Sequence, residues 1–373
     1  MFITRKSLAA VGCALLIAAS TACGTSETAD AETRARRAVE RLGQWEAVSV
    51  TLRVDAPADD IHAFLRHQHG RAGGTPPGRA DARLLSRLEL MLTFGTDQPL
   101  NDTAPKDRID TAATVNLGGR DLAGYRSLGT DFYVRADWRR LAAELDGRHP
   151  TVARAAELAG SAKGLPPSLA AARDALKGRW VQIDPTEFDH FARAVGGKHG
   201  ERAQRLANSV DLLQNASAQH HIVDAVRRAL DDRTSFREAR KGAHDGGTER
   251  IRVSLPARGF ARELAAALGP LEERFDGIGF SWLERAPDRP VTADLVLRDG
   301  TLSGMTVDLR QFGTEDVRGD AGEDSGGPGE LPLTLSFSPG QAVRLRVPED
   351  TKWLAPQDVM AAVLYEDLGT PGP

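Results

Sequence analysis

Alternating apolar and polar residues predict strands in the first half of the chain. Residues 48–54 alternate strictly between apolar and polar side chains, and apolar residues recur at every second position over 88–94. This period of two is typical of strands that bury one face. Residues 111–140 contain shorter apolar segments separated by Gly-containing turns. They predict an antiparallel meander that ends in a helix over about 138–145.

The second half combines a long helical pattern with two predicted hairpins. Apolar residues recur at helical spacing over 201–230, which predicts one long helix or two consecutive helices. Residues 291–309 form two alternating runs joined by Asp299–Gly300. This dipeptide favours a type I′ turn, because both central residues of that turn have positive φ. A second hairpin is predicted between 333–337 and 343–347.

Strands near both ends of the chain and helices between them predict an α+β fold. A single curved antiparallel sheet, a half-barrel assembled from both halves and wrapped around the central helices, buries the apolar faces of strands and helices together. We therefore predict one domain over 33–373, with an acidic, Gly-rich loop insertion at 313–330. Two separate domains are the alternative, although no clear linker divides the halves.

The first 22 residues have the layout of an export signal. Two basic residues precede an apolar run at 8–19, which is shorter than the roughly 20 residues that span a bilayer. Small residues then lead into Cys23, so the segment resembles a bacterial lipoprotein signal with its lipobox. We predict a signal peptide over 1–22, lipidation at Cys23 and a flexible tether over 23–32. An ordinary secretory signal is the alternative.

The cysteine content agrees with a lipoprotein signal. The chain has two cysteines, and Cys13 lies within the apolar run and would be removed with the signal. An exported chain whose only cysteine is Cys23 has no internal disulfide. A diacylglyceryl group on Cys23 supplies two acyl chains, which is enough for stable membrane attachment. The sequence therefore predicts a lipid-anchored protein on the extracytoplasmic face of the cell membrane.

Composition and motifs argue against several classes of function. The formal net charge is −4 at pH 7, and there is no basic stripe interleaved with aromatic residues that would predict nucleic-acid binding. No HExxH, CxxC, GxSxG or phosphate-binding glycine motif occurs. His67 and His69 are too few for a metal site, and Asp184, Glu187 and Asp189 are typical of a helix start. We therefore predict a non-enzymatic protein without catalytic residues, metal or cofactor.

Several short features resemble bacterial lipoproteins of the LppX/LprG type, which are related in fold to the periplasmic carrier LolA. The matching features are the lipidated cysteine and a series of structural segments: Cys23, the first helix, strand 48–54, the Gly129–Val134 strand with Trp138 after it, the Trp-bearing Gly178–Val181, and segments 291–309 and 331–348. The resemblance implies a curved sheet wrapped around helices. It also implies an apolar pocket for acyl chains and a role in lipid or lipoprotein transfer.

Two apolar strand faces are the candidate walls of such a pocket, if the sheet curves around the helix at 201–230. The residues that would line it are Leu88, Leu90, Leu92, Phe94, Leu333, Leu335 and Phe337. The expected ligand is then a lipid or glycolipid. The alternative is that these faces form an ordinary core and that the protein is an extracellular interaction or signalling lipoprotein that binds a protein partner.

Overall fold

The structure is a computed structural model of the 373-residue chain. It describes the following residues: 26–69, 77–104, 107–145, 150–195, 235–238, 247–259, 261–262, 286, 288–312, 330–340 and 345–369. Four predictions lie outside these residues: the signal peptide at 1–22, the lipidated Cys23, the helix over 201–230 and nearly all of the insertion at 313–330.

The described residues form twelve strands in one sheet. The strands are β1 (Ala47–Val54), β2 (Leu88–Gly95), β3 (Asp110–Leu117), β4 (Arg120–Leu128), β5 (Asp131–Ala136), β6 (Val181–Ile183), β7 (Ser235–Glu238), β8 (Thr248–Pro256), β9 (Pro290–Arg298), β10 (Thr301–Asp308), β11 (Pro332–Pro339) and β12 (Lys352–Trp353). The α-helices are α1 (Ser26–Gly43), α2 (Ala58–His69), α3 (Arg79–Leu85), α4 (Trp138–Glu144), α5 (Pro150–Ser161), α6 (Ala170–Leu176), α7 (Pro185–Val195) and α8 (Pro356–Gly369). Short 3₁₀ helices lie at Leu100–Asp102, Ala162–Gly164, Pro167–Leu169 and Leu309–Phe312.

The order of strands joins the two halves of the chain. Across the sheet it is β12-β6-β5-β4-β3-β2-β1-β11-β10-β9-β8-β7. All neighbouring strands are antiparallel except β12 and β6, which are parallel. β1 pairs with β2 on one side and with β11 on the other, so it connects the early strands to the late ones. The predicted α+β fold, with strands from both halves in one mostly antiparallel sheet, is confirmed.

The hairpin at Asp299–Gly300 forms as predicted. β9 and β10 pair antiparallel, with Thr301 opposite Arg298. The φ angles of Asp299 and Gly300 are 51° and 71°, and a type I′ turn needs positive φ at both positions. Arg41 Nη1 donates a hydrogen bond of 2.9 Å to the carbonyl oxygen of Asp299, so the end of α1 contacts this turn.

The hairpin predicted between 333–337 and 343–347 is wrong. β11 pairs with β1 along one edge and with β10 along the other, so neither edge is left for a further strand. Residues 345–348 belong to no strand. They pass near β4 instead, where Arg126 Nη1 donates a hydrogen bond of 2.7 Å to the carbonyl oxygen of Arg346. β1 and β10 therefore occupy both edges of β11, where the sequence predicted pairing with 343–347.

The flexible tether predicted over 23–32 is wrong for residues 26–32, which begin α1. Ala31, Ala35, Ala38 and Leu42 are fully buried. Their spacing of three and four residues places them on one side of a helix, and this side packs against the sheet. The early part of the pattern is weak in the sequence because it consists of alanines, which bury little apolar surface each.

Two core clusters lie on one face of the sheet, which we call the inner face. The inner face is defined by residues that lie directly opposite one another on neighbouring strands: Phe337, Val50, Leu92, Ala113, Tyr125, Val134 and Val181. The α1 cluster packs the buried side of α1 against β1 and β8 to β11. The α6 cluster packs α6 and α8 against the other end of the sheet, around Val181 and Leu354.

Asp308 links the end of β10 to the residue before β11. Its carboxylate accepts hydrogen bonds from the Arg310 guanidinium at 2.7 Å, from the Arg310 backbone N–H at 3.0 Å and from the Leu331 N–H at 3.2 Å. Burial on its own raises the pKa of Asp308, but these hydrogen bonds outweigh burial and hold the pKa below its ordinary value. The charged carboxylate therefore stabilises this connection.

Candidate functional site

The residues predicted to line a pocket all lie on the inner face. Residues directly opposite one another on paired strands point to the same side of a sheet. Leu90 lies opposite Leu52, which lies opposite Leu335. Leu333 lies opposite Val54 on the same face. Four of the predicted residues belong to β2 and are named the leucine row: Leu88, Leu90, Leu92 and Phe94.

The two halves of the predicted set differ in their packing. Phe337 is 6% exposed and belongs to the α1 cluster, and Leu335 packs against that cluster. These β11 residues therefore contribute to a core formed with α1. The leucine row is half-buried and belongs to none of the core clusters formed by described residues. Leu333 is half-buried as well and also lies outside these clusters, so the leucine row and Leu333 keep apolar surface accessible.

The inner face stays apolar beyond the leucine row. It continues through Ala113 to Tyr125, whose ring stacks on Phe132 with centroids 5.6 Å apart and planes inclined by 15°. Burial raises the pKa of Tyr125, so its phenol stays neutral at physiological pH. The leucine row therefore lies within one continuous apolar surface, between the α1 cluster and the α6 cluster.

The predicted set lines neither of two cavities found among the described residues. The larger, of about 550 Å³, is bounded by Asp59, His62, Ala63, Arg66 and Arg79. The smaller, of about 380 Å³, is named the arginine cleft, and its lining residues are Arg87, Leu117, Gly118, Arg120, Leu122, Arg140, Ala143 and Glu144. A pocket between the inner face and residues 201–230 involves a segment outside the described residues and stays a prediction.

The arginine cleft lies at one end of the leucine row. Leu88, the first residue of the row, lies opposite Leu117, which lines the cleft. The hairpin between β3 and β4 turns at Gly118 and Gly119, whose φ angles are 59° and 80°. A Cβ at position 118 would come within 3.0 Å of the Arg87 guanidinium, so glycine there lets this side chain lie against the turn.

Glu144 holds Arg87 in place from the end of α4. Arg87 donates two hydrogen bonds to the Glu144 carboxylate, at 3.0 and 3.1 Å. This paired geometry matches the guanidinium fork to the two carboxylate oxygens. The N–H of Gly118 donates a 3.0 Å hydrogen bond to the Arg87 carbonyl oxygen, which fixes the backbone of both residues. One wall of the cleft is therefore well ordered.

The other two arginines of the cleft, Arg120 and Arg140, form fewer contacts with carboxylates than Arg87 does. Arg140 Nε lies 3.3 Å from Asp137 Oδ2, and 53% of the Arg140 side-chain surface is exposed. Arg120 is exposed and forms no ion pair within the described residues. The nearby carboxylate of Asp121 is paired with Arg135 at 2.8 Å. The lining therefore carries three guanidinium groups and one carboxylate, an excess of positive charge.

Two of the carboxylates considered for chemistry from the sequence, Asp184 and Asp189, have ordinary partners. Asp184 accepts a hydrogen bond of 2.8 Å from the Thr186 N–H, as at a helix start, and Asp189 pairs with Arg193. The described residues contain no group of three or more His, Cys, Asp or Glu side chains that could hold a metal ion. They also contain no helix long and apolar enough to cross a membrane.

The arginine cleft was not predicted from the sequence. Arg87, Arg120 and Arg140 are spread over more than fifty positions, so no local pattern relates them, and only the paired glycines of the turn signalled a special backbone there. No model of a known protein family matches the chain, and no curated protein matches it. Function is therefore inferred from the residues and geometry of this chain alone.

Proposed function

We propose that this protein is a lipoprotein, anchored in the cell membrane on its extracytoplasmic side, that binds the acyl chain of a lipid or glycolipid on the inner face of its sheet. The leucine row carries this proposal, because it is half-buried, apolar and outside the core clusters formed by described residues. Covering such side chains with an apolar ligand removes their surface from water, which is favourable. The large, mostly antiparallel sheet is compatible with the LolA-like arrangement expected from the sequence.

The size of the strip suits a lipid chain. The leucine row spans residues 88–94, or about 20 Å of strand at roughly 3.3 Å per residue. Each methylene buried contributes about 0.8 kcal/mol. Roughly ten methylenes laid along the row therefore gain about 8 kcal/mol. This gain offsets most of the cost of removing the same methylenes from a bilayer.

Native mass spectrometry of the full chain carrying Cys23→Ala, purified from a lipid-containing host, tests the lipid site. We expect discrete co-purifying lipid masses. Adding Leu92→Trp places a bulky side chain on the leucine row and should abolish these lipid masses. Met91→Trp is the matched control, because position 91 lies on the opposite face of the same strand. Bare protein that takes up no added fluorescent phospholipid would refute lipid binding.

Membrane attachment has its own test at Cys23. Cys23→Ala removes the sulfur that would carry the acyl chains, so the protein should appear in the medium or retain its signal peptide. Cys13→Ala is the control and should leave attachment unchanged. Membrane fractionation and the mass of the product distinguish these cases. A Cys23→Ala protein that stays in the membrane fraction at its mature mass would contradict the anchor.

A protein partner is the second candidate, favoured by a separate observation. Within the described residues, the exposed large apolar side chains all lie between positions 347 and 365: Val347, Trp353, Val359, Met360, Leu364 and Tyr365. Four of them belong to α8. Exposed apolar surface concentrated in one region typically marks an interaction site.

Site-specific cross-linking in the producing cell tests this second candidate. A photoreactive residue at position 364 should form a protein adduct if α8 lies in an interface, since 51% of Leu364 is exposed. The same residue at the exposed position 298, next to the β9–β10 turn, is the control away from α8. Adducts of equal yield at both positions, or none at position 364, would exclude α8 as the interface.

A further inference from the structure

We infer that the arginine cleft binds the phosphate group of an anionic ligand, and that this group is the headgroup phosphate of the lipid whose chain covers the leucine row. The second part rests on the proposed lipid function; the first does not. Phosphate recognition by the cleft follows from its charge, its shape and its surroundings.

The charge of the cleft favours an anion with several acceptor oxygens. Three guanidinium groups face one carboxylate in the lining, and that carboxylate is already paired with Arg87. Arg120 and Arg140 therefore retain N–H donors that are not used within the cleft. A guanidinium presents parallel donors that match the oxygens of phosphate, and such charged hydrogen bonds are stronger than neutral ones.

The shape of the cleft distinguishes these arginines from ordinary surface arginines. They border a concavity of about 380 Å³, whose apolar lining includes Leu117 and Leu122, 3% and 5% exposed. Charged groups in a concavity are less surrounded by water than those on a flat surface, which strengthens the interactions between their charges. A phosphate group held there is attracted more strongly than one on a flat, hydrated surface.

The position of the cleft suggests the source of the phosphate. The row ends at Leu88, opposite Leu117 in the cleft. An acyl chain along the row would therefore bring its polar end to the arginines. A soluble phosphate ester could form the same hydrogen bonds in the cleft without contacting the leucine row. The experiment therefore tests a soluble phosphate ester and a phospholipid separately.

The experiment uses the full chain with Cys23→Ala and two probes at low ionic strength, where screening is weak. Calorimetry with glycerol phosphate measures the soluble arm. Co-sedimentation with vesicles of phosphatidylcholine, with and without phosphatidylglycerol, measures the lipid arm. Arg120→Gln and Arg140→Gln should each weaken binding of glycerol phosphate at least tenfold. Arg120→Lys keeps the charge but loses the fork, so it should recover only part of the affinity.

Arg298→Gln is the matched control for the loss of one positive charge. Arg298 is exposed and lies next to the turn of another hairpin, as Arg120 does, but it does not line the arginine cleft or the larger cavity at α2. It should change binding less than twofold. Thermal melting of each variant separates loss of the site from loss of the fold.

The outcomes separate this inference from the proposed function. Loss in both arms for Arg120→Gln supports the cleft as a lipid headgroup site. Loss of glycerol phosphate binding for Arg120→Gln, with no vesicle binding by the parent protein, supports the phosphate site and refutes lipid binding. Vesicle binding that is blocked by Leu92→Trp but unaffected by Arg120→Gln, with no heat from glycerol phosphate, overturns the phosphate site and leaves lipid binding intact. Equal losses for Arg120→Gln and Arg298→Gln also overturn the phosphate site.

Discussion

Leu42→Ala is the sharpest test of how the first helix packs. If residues 26–43 were an extension of a flexible tether, Leu42 would be exposed to solvent. In the structure it is 0% exposed and lies in the α1 cluster, against strands from the far end of the chain. The substitution should therefore destabilise the whole sheet, although it lies close to the N-terminal end.

The magnitude follows from the burial of this side chain. Burying a leucine completely contributes about 1.5–3 kcal/mol relative to leaving it exposed. Truncation to alanine in a core that relaxes only partly adds a cavity cost, which brings the loss to about 3–5 kcal/mol. Since each 1.4 kcal/mol is a factor of ten, the unfolded fraction should rise by about a hundredfold or more.

Equilibrium unfolding in urea, followed by tryptophan fluorescence, measures this loss as a lower midpoint at unchanged slope. Leu364→Ala makes the same chemical change at a residue that is 51% exposed, and should stay within about 0.5 kcal/mol of the parent. If the two variants have the same midpoint, α1 does not pack on the sheet as described, and a flexible N-terminal segment would be the better description.

Three further predictions test the turns, the charges and the sheet. Gly300→Ala should lower the free energy of unfolding in urea more than Gly119→Ala. Both glycines have positive φ, but an added Cβ at position 300 would displace the Arg41 guanidinium and break its hydrogen bond to Asp299, whereas nothing lies within 4 Å of a Cβ at position 119. Equal losses would argue against this contact. The folded-state pKa of Asp308 lies below its unfolded value of about 3.9, so its stabilisation is complete above that value and is lost as the pH falls through the folded pKa. The stability difference between the parent and Asp308→Asn should therefore shrink with acidification, and a constant difference would contradict this. Fragments divided near residue 196 should not fold alone, since α1 packs on late strands; two cooperative melts would contradict a shared core.

The leucine row shows how far a sequence pattern reaches. Period-two alternation at 88–94 places these side chains on one face wherever the strand lies, and the register confirms that they share a face with the predicted residues of β11. The same pattern does not tell which helix covers a face. The structure packs α1 against Phe337 and Leu335, while the β2 residues belong to none of the core clusters formed by described residues. Burial depends on partners that are distant along the chain.

The sequence by itself determined the local elements of this protein. Strand 48–54, the meander and the Asp299–Gly300 turn formed as predicted, because backbone sterics and a two-residue period act between neighbours in the chain. Only the tertiary structure decided that β11 lies between β1 and β10, which excluded the hairpin expected at 343–347. It also brought the arginines of the cleft together. The order of strands and the clustering of arginines depend on contacts between segments that are distant along the chain. A local sequence pattern does not contain this information.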